Sequence, residues 1–239
     1  HRCDPARLRP ALIPHLVSRI VFTGGGGYDP FITACPRFVL SPRAMFVRRL
    51  VDSSVTREIA LVDDRAPPHC SGFYRQHIMC GDANQSQLAM LLRIGTTALV
   101  VALIDANCVR DEAVRLADPL KALETIAHDV SLRTPVDLAS GRRLTAMEIQ
   151  RHYLRQARAH LRRLPAWAEA LCGLWEDTLD RLDCGPEAVA DRLDWAIKHM
   201  IHRGRVAGSS DSDEARRAEL CEIDVRFGQV YPPSLFDAL

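Results

Sequence analysis

The amino-acid sequence predicts an α+β fold in which a strand-containing part precedes a mostly helical part. Short runs typical of strands occupy the first third of the chain, and a long apolar helix follows them. After residue 118 the apolar residues recur with helical periodicity. The three strand-like runs cover residues 38–41, 59–62 and 74–80.

We expect a single domain over residues 1–239. With 239 residues, 47% of them hydrophobic, the chain can bury a large core. Residues 1–117 would hold the sheet and the core helix, and residues 118–239 the helical part with a last edge strand at 222–227. The sequence begins with His1 rather than Met, so we also expect a fragment of a longer protein.

The first elements are a helix and a glycine-rich turn. Apolar residues at helical spacing predict a helix over 5–20, and Asp4 with Pro5 suits its start. The glycines at 24–27 could form a phosphate-binding loop. No Gly-Lys-Ser/Thr follows them, however, and a flexible turn explains them better.

The strand at 74–80 carries a cation and an imidazole on one face. Arg75 and His77 are two residues apart, so both side chains leave the strand on the same side. The strand ends at the Gly81-Asp82 turn. This arrangement suits an anionic ligand, although a lone strand histidine is also an ordinary structural residue.

A long apolar helix over 85–106 comes next. Asn84 is placed to cap it, with Gln87 three residues later completing a capping box. Arg93 and Gly95 interrupt its apolar run, which is therefore shorter than the roughly 20 residues of a membrane span. We predict a buried core helix.

The helical part begins with a short helix at 118–128 and a strand at 132–138. Thr145 and Glu148 have the spacing of a capping box. The three amphipathic helices predicted after this point cover 145–164, 165–182 and 186–201. Their apolar stripes, which include Trp167 and Met200, indicate core packing.

Composition gives no sign of a nucleic-acid or membrane partner. There are 31 Lys and Arg residues against 30 Asp and Glu residues, so charge alone does not favour nucleic acid or anionic membranes. Eight cysteines without Cys-x-x-Cys spacing indicate reduced thiols and a cytoplasmic protein. His69, Cys70, His77 and Cys80 lack the spacing of a zinc site, so we predict no metal-binding residue in this chain.

Several arginines flank the short strands. Arg43, Arg65, Arg75 and His77 lie in strands or in adjacent loops, from which they could converge on one face of a sheet. Guanidinium groups match the oxygens of phosphates and carboxylates, so such a face would suit phosphoryl transfer. From spacing alone, ordinary loop arginines in an arginine-rich chain explain Arg43 and Arg65 better. Asn84 is a candidate ligand contact or a helix cap.

The amino-acid sequence of these segments resembles the Pup ligase/depupylase family, a branch of the glutamine-synthetase-like carboxylate-amine ligases. The resemblance rests on Tyr74 to Asn84 and Ile94 to Val100, and other blocks agree in order along nearly the whole chain. These blocks are 16–19, 22–24, 41–44, 55–57, 64–65, 68–69, 118–119, 128–129, 138–142, 144–146 with 150 and 153–154, and 191–198.

The resemblance implies a curved antiparallel sheet with helices behind it, and binding of ATP and magnesium. It also implies Pup, a small disordered ubiquitin-like modifier, and pupylated proteins as partners. Arg43, Arg65 and His77 would be the catalytic residues facing the nucleotide phosphate, with Arg75 and Asn84 as weaker nucleotide-site candidates. The metal-binding glutamates and the catalytic aspartate of the family would lie upstream, so we expect this piece to be inactive alone.

Within the family, Leu132-Arg133 and Leu144-Thr145-Ala146 favour the depupylase branch. The main expectation is therefore an amidohydrolase that removes the amide of the C-terminal glutamine of Pup, or cleaves the isopeptide bond between Pup and lysine. One alternative is a Pup ligase that acts through an acyl phosphate. Another is a non-catalytic relative that only binds Pup or nucleotide.

Overall fold

Helices make up most of the fold. The computed structural model describes residues 5–28, 38–40, 62–63, 77–78, 85–109, 113–208, 218 and 222–223. At residues 5–10, 28, 62–63, 77–78 and 205–208 it describes the backbone alone. The helices are α1 (Pro5–Ser18), α2 (Ile20–Thr23), α3 (Gln87–Asp105), α4 (Pro119–Ala127), α5 (Ala146–Ala159), α6 (Ala168–Cys184) and α7 (Asp194–Gly208). Two 3-10 turns cover Leu161–Arg163 and Pro186–Val189.

The strands form antiparallel pairs, which confirms the α+β class. They are β1 (Gly27–Tyr28), β2 (Phe38–Val39), β3 (Val62–Asp63), β4 (His77–Ile78), β5 (Val136–Asp137) and β6 (Arg143–Leu144). Within the described residues the pairs β1·β2, β3·β4 and β5·β6 are separate two-stranded ladders rather than one curved sheet.

One hydrophobic core joins the early and late parts of the chain. It runs from Ala11 in α1 to Ala196 in α7, and α1, α3, α5 and α6 pack against one another around it. Trp175 and Trp195 are its largest fully buried side chains. Trp167 and Met200, which helical periodicity assigned to the core, are instead 48% and 42% exposed. The prediction was wrong for Trp167 because α6 begins after it. It was wrong for Met200 because the buried face of α7 is the one that carries Trp195.

Helix α3 is a core helix with one exposed apolar face. Its length and composition would allow a membrane crossing, but half of the apolar window is buried inside the protein. Leu92 is fully buried, whereas Ile94 is 54% exposed. The prediction of a core helix holds for the face that packs on α1 and α6, and it is wrong for the opposite face.

The cap of α3 also differs from the prediction. The N-cap is Ser86, whose Oγ accepts a hydrogen bond from the Ala89 amide at 3.3 Å. Asn84, the predicted cap, lies outside the described residues. The helix therefore starts two residues later than predicted, because a serine hydroxyl at position 86 satisfies the first amides.

The segment between α4 and α5 is a turn followed by a β-hairpin. The Asp118 carboxylate caps α4 by accepting from the Leu120 and Lys121 amides, so the helix starts at Pro119, next to its predicted start. Of the strand predicted over 132–138, only Val136–Asp137 forms. The Asp129 carboxylate accepts from the Ser131 and Thr134 amides, so the preceding residues form a turn.

Of the last three helices, α5 starts where its capping box predicts but ends five residues early, whereas α6 and α7 start three and eight residues later than predicted. The predicted start of α7 is taken by the 3-10 turn at Pro186–Val189. Thr145 and Glu148 form the predicted capping box, with 2.7 Å from the Thr145 amide to the Glu148 carboxylate. Gly185, with φ of 120°, ends α6, because this backbone conformation favours glycine. The edge strand predicted at 222–227 is wrong at 222 and 223, which have helical backbone.

Candidate functional site

The pair β3·β4 contains the one predicted site residue that the structure describes. His77 lies in β4, directly opposite Asp63 in β3, with Val62 opposite Ile78. The sequence did not single out Asp63, although antiparallel pairing across the loop after position 63 would have indicated it. The other four predicted residues, Arg43, Arg65, Arg75 and Asn84, lie outside the described residues. The proposed convergence of these side chains therefore stays a prediction.

The chain that leaves β4 enters α3 through two residues held by a distant carboxylate. Asp194 accepts from the Gln85 amide through Oδ2 at 2.7 Å and from the Ser86 amide through Oδ1 at 2.8 Å. We call these two hydrogen bonds the Asp194 fork. In addition, Ser86 Oγ donates to the carbonyl oxygen of Arg192 at 2.6 Å. The start of α3 is thus tied to residues more than 100 positions later.

The same late segment holds the beginning of the chain. Trp195 Nε1 donates to the Val21 carbonyl at 2.9 Å, and Lys198 Nζ donates to the Gly26 carbonyl at 3.0 Å. Gly26 has φ of +67°, and a Cβ there would approach the Phe38 ring to 2.6 Å. The glycine-rich run therefore forms a turn, as predicted, but a close-packed one rather than a flexible one.

The sequence analysis missed the role of residues 191–198 in holding distant segments together. The segment was noticed only as a block of family resemblance, yet Arg192, Asp194 and Lys198 are all buried. The signal in the sequence is the presence of three charged residues among the apolar positions Leu193, Trp195 and Ala196. Buried charges require hydrogen-bond partners, so this mixture indicates long-range contacts.

A buried polar cluster fixes α3 against α1 and α5. Arg19 donates to Thr97 Oγ1 at 2.5 Å and to the Arg93 carbonyl at 3.2 Å. Gln150 Nε2 lies 2.7 Å from Ser18 Oγ and 3.4 Å from His15 Nδ1. The cluster joins three helices that are distant in sequence, and it holds α3 behind the candidate site.

The hydrogen bonds of this cluster favour neutral His15. Gln150 Nε2 is a donor, so His15 Nδ1 accepts and its Nε2 carries the proton toward Thr97 Oγ1 at 3.3 Å. Burial lowers the pKa of His15 well below its usual value, and the nearby Arg19 charge lowers it further. His15 is therefore a neutral packing residue.

No metal site is found in the part of the chain that the structure describes. There, no group of three or more His, Cys, Asp or Glu side chains could hold a metal ion. Magnesium prefers several oxygen ligands, so the described residues do not fit a magnesium site.

Comparison with protein families gives one match over nearly the whole chain. The model of the family described as Pup-ligase protein matches residues 2–239. The protein named Pup--protein ligase in Arthrobacter sp. (strain FB24) is 35% identical to this chain, and the one in Pseudarthrobacter chlorophenolicus is 36% identical. Each alignment covers 94% of this chain and 51% of the relative. The relative in Kribbella flavida is 34% identical, over 96% and 51%. The chain thus spans about half the length of these curated relatives.

Solved structures support the same fold. One is the Pup ligase PafA in complex with ADP, with a TM-score of 0.79 at 23% identity, covering 100% of this chain and 54% of that one. Another is PafA in complex with Pup, with a TM-score of 0.82 at 24% identity, covering 100% and 49%. At these identities the likeness concerns the fold.

The preference for the depupylase branch is wrong, because these curated relatives are named ligases. The two blocks behind that preference have local structural roles. Leu132 adopts φ of 56° in a turn, and Thr145 caps α5. Neither role distinguishes a ligase from a hydrolase. Across residues 2–239, the match identifies the chain as a member of the Pup-ligase protein family.

Proposed function

We propose that this chain is part of an enzyme that ligates Pup to lysine side chains of proteins. The observation that carries the proposal is the identity of about 35% to Pup--protein ligases over nearly the entire chain. Likeness to the fold of a Pup ligase seen with ADP, and of one seen with Pup, supports it.

The chemistry would be activation of a carboxylate followed by attack of an amine. The terminal carboxylate of Pup would take a phosphoryl group from ATP, forming an acyl phosphate and ADP. The amine of an acceptor lysine would then displace inorganic phosphate and form the isopeptide bond. Two substrates must therefore meet in one site, which needs positioning as well as charge stabilisation.

Within this scheme, Arg43, Arg65 and His77 would face the transferring phosphoryl group and neutralise its charge. Arg75 and Asn84 would help to orient the nucleotide. The nucleotide would supply the phosphoryl group, and magnesium would accompany it. We assign magnesium no ligand among the described residues, because none of them forms a suitable group.

The family resemblance also supports a curved antiparallel sheet in the intact protein, to which β3·β4 would belong. Eight cysteines without paired spacing support a cytoplasmic location.

The test is a ligation assay with the intact protein. Pup ending in glutamate, ATP, magnesium and a lysine-containing acceptor protein should yield a conjugate whose mass equals the sum of the two proteins less one water. One ADP should form for each isopeptide bond.

Two controls make the assay decisive. Omission of ATP, or methylation of the acceptor lysines, should abolish the conjugate. Release of ammonia from Pup ending in glutamine, without any ATP-dependent conjugate, would contradict the proposal.

A further inference from the structure

Asp194 is a buried carboxylate that binds the residues at the start of another helix. It is 1% exposed and lies in the first turn of α7, where a negative charge is favourable. Its two oxygens accept from the amides of Gln85 and Ser86, at 2.7 and 2.8 Å. The fork therefore holds the two residues that precede α3.

Packing alone does not explain a carboxylate at this position. Removing a carboxylate from water is costly unless both oxygens find donors. The amide of the N-cap Ser86 needs an acceptor, since the N–H groups at the start of a helix have no partner inside the helix. The fork meets both needs and sets a defined distance between α7 and the entry to α3.

The fork acts on the chain close to the candidate site. Seven peptide bonds separate Ile78, the last residue of β4, from Gln85, the first residue of the fork. The buried cluster around Arg19 and Thr97 already fixes α3 itself. Fixing Gln85 and Ser86 therefore restrains the connection between a fixed helix and the strand that carries His77.

Helix α7 has other anchors that do not depend on Asp194. Trp195 and Lys198 donate to the Val21 and Gly26 carbonyls, and Arg192 Nη1 contacts Asp177 at 2.6 Å. A substitution at Asp194 should thus loosen the entry to α3 and leave α7 in its place.

We propose that Asp194 is a positioning residue of the active site, acting through residues 85–86 on the strand that carries His77. The inference rests on the proposed function, because the reacting groups are those of the ligation reaction. Phosphoryl transfer depends on placement of the reacting groups, so a displaced strand should reduce turnover more than substrate binding.

The experiment compares Asp194→Asn with Asp194→Glu in the intact protein. The asparagine keeps one acceptor oxygen but turns its NH2 group toward a backbone N–H, so half of the fork is lost. We expect kcat to fall at least about ten-fold, with the KM for ATP and for acceptor protein changing much less. Glutamate keeps both oxygens and should recover part of kcat.

Asp180→Asn is the matched control, because Asp180 is an exposed carboxylate that pairs with Arg151 at 2.8 Å, between α5 and α6. It should leave kcat unchanged. Hydrogen exchange adds a structural readout. In Asp194→Asn, peptides covering 77–89 should exchange faster, whereas a peptide covering α5 should not change.

Two outcomes would overturn the inference. One is that folded Asp194→Asn has the same kcat as the wild type, whatever the melting temperature of the variant. The other is unchanged exchange over 77–89. If the Asn variant does not fold, Asp194→Glu takes its place: moving the carboxylate by one methylene should still lower kcat and speed exchange over 77–89, and a normal kcat there would count against the inference. Absence of ligation by the wild-type protein would refute the proposed function instead, and the exchange readout would still test the fork.

Discussion

His77 occupies a register position opposite Asp63 in a two-stranded ladder that leads into the entry of α3. Replacing it, or the predicted phosphate-facing Arg65, should remove charge stabilisation of the transferring group. We expect His77→Ala and Arg65→Ala to lower kcat of the intact protein by at least about 100-fold, as for other groups that stabilise developing charge. The melting temperature should change little.

Arg133→Ala is the matched control, because Arg133 is an exposed arginine that is not among the predicted site residues. It should keep normal kcat. A large loss of thermal stability with normal turnover in the His77 variant would make His77 a structural residue.

His15 should make stability depend on pH. Its folded pKa is lowered, so the native state stays neutral while the unfolded state gains a proton below about pH 6.5. The free energy of unfolding should therefore fall as pH drops below that value, by up to about 1.4 kcal/mol per pH unit for one group.

Urea denaturation from pH 5 to 8 measures this effect. His15→Gln removes the titration, so the difference between wild type and variant should shrink as pH falls. A constant difference over this range would show that His15 does not titrate between the two states.

At the scale of elements, α3 and α6 approach closely at a glycine. A Cβ at Gly95 would lie 2.7 Å from Leu171 Cδ2, which is buried between the helices. We expect Gly95→Leu to lower the free energy of unfolding by about 1–3 kcal/mol through overpacking. Gly173, in the exposed part of α6, has no atom within 4 Å of its added Cβ.

Gly173→Ala is the opposite control and should stabilise the protein by up to about 1 kcal/mol, since alanine favours a helix. Chemical denaturation of both variants checks the pair. Equal stability of Gly95→Leu and wild type would mean that α3 and α6 are further apart than the structure places them.

Helix starts were predicted well only where a local capping residue marks them. Asp118, Thr145 and the helices that they cap follow local signals, because a cap is a contact among residues three positions apart. The strand at 132–138 was predicted too long, since Asp129 forms a turn that competes with the strand. The cap of α3 was misplaced because Asn84 and Ser86 both suit the position, and Ser86 also bonds Arg192.

At the scale of the whole molecule, one core should unfold as one unit. It contains Trp175 against α1 and Trp195 bound to Val21, so both tryptophans report on contacts between the two ends of the chain. We propose that residues 1–239 form one domain. Far-UV circular dichroism and tryptophan fluorescence should then give the same unfolding midpoint.

Trp167 is largely exposed and should contribute little to that transition. In the variant Trp167→Phe the fluorescence midpoint should match that of the wild type. Two separated midpoints would divide the chain into independent units.

The candidate site could be predicted only in part, for a physical reason. Arg75 and His77 were noticed because residues two apart share one face of a strand, a relation that depends on the local chain alone. Asp63 and Asp194 were missed because their partners, His77 and Gln85, lie 14 and 109 residues away. Such pairings depend on how the whole chain packs.

By itself the sequence determined the α+β class, the family, the start of α4, the capping box of α5 and a turn at the glycine run. These features follow from the order of the residues and from contacts between residues a few positions apart in the sequence. Only the tertiary structure decided that α3 exposes one apolar face and that Ser86 begins it. It alone also decided that Asp194 holds this entry, because burial and long-range hydrogen bonds exist only after distant segments have come together.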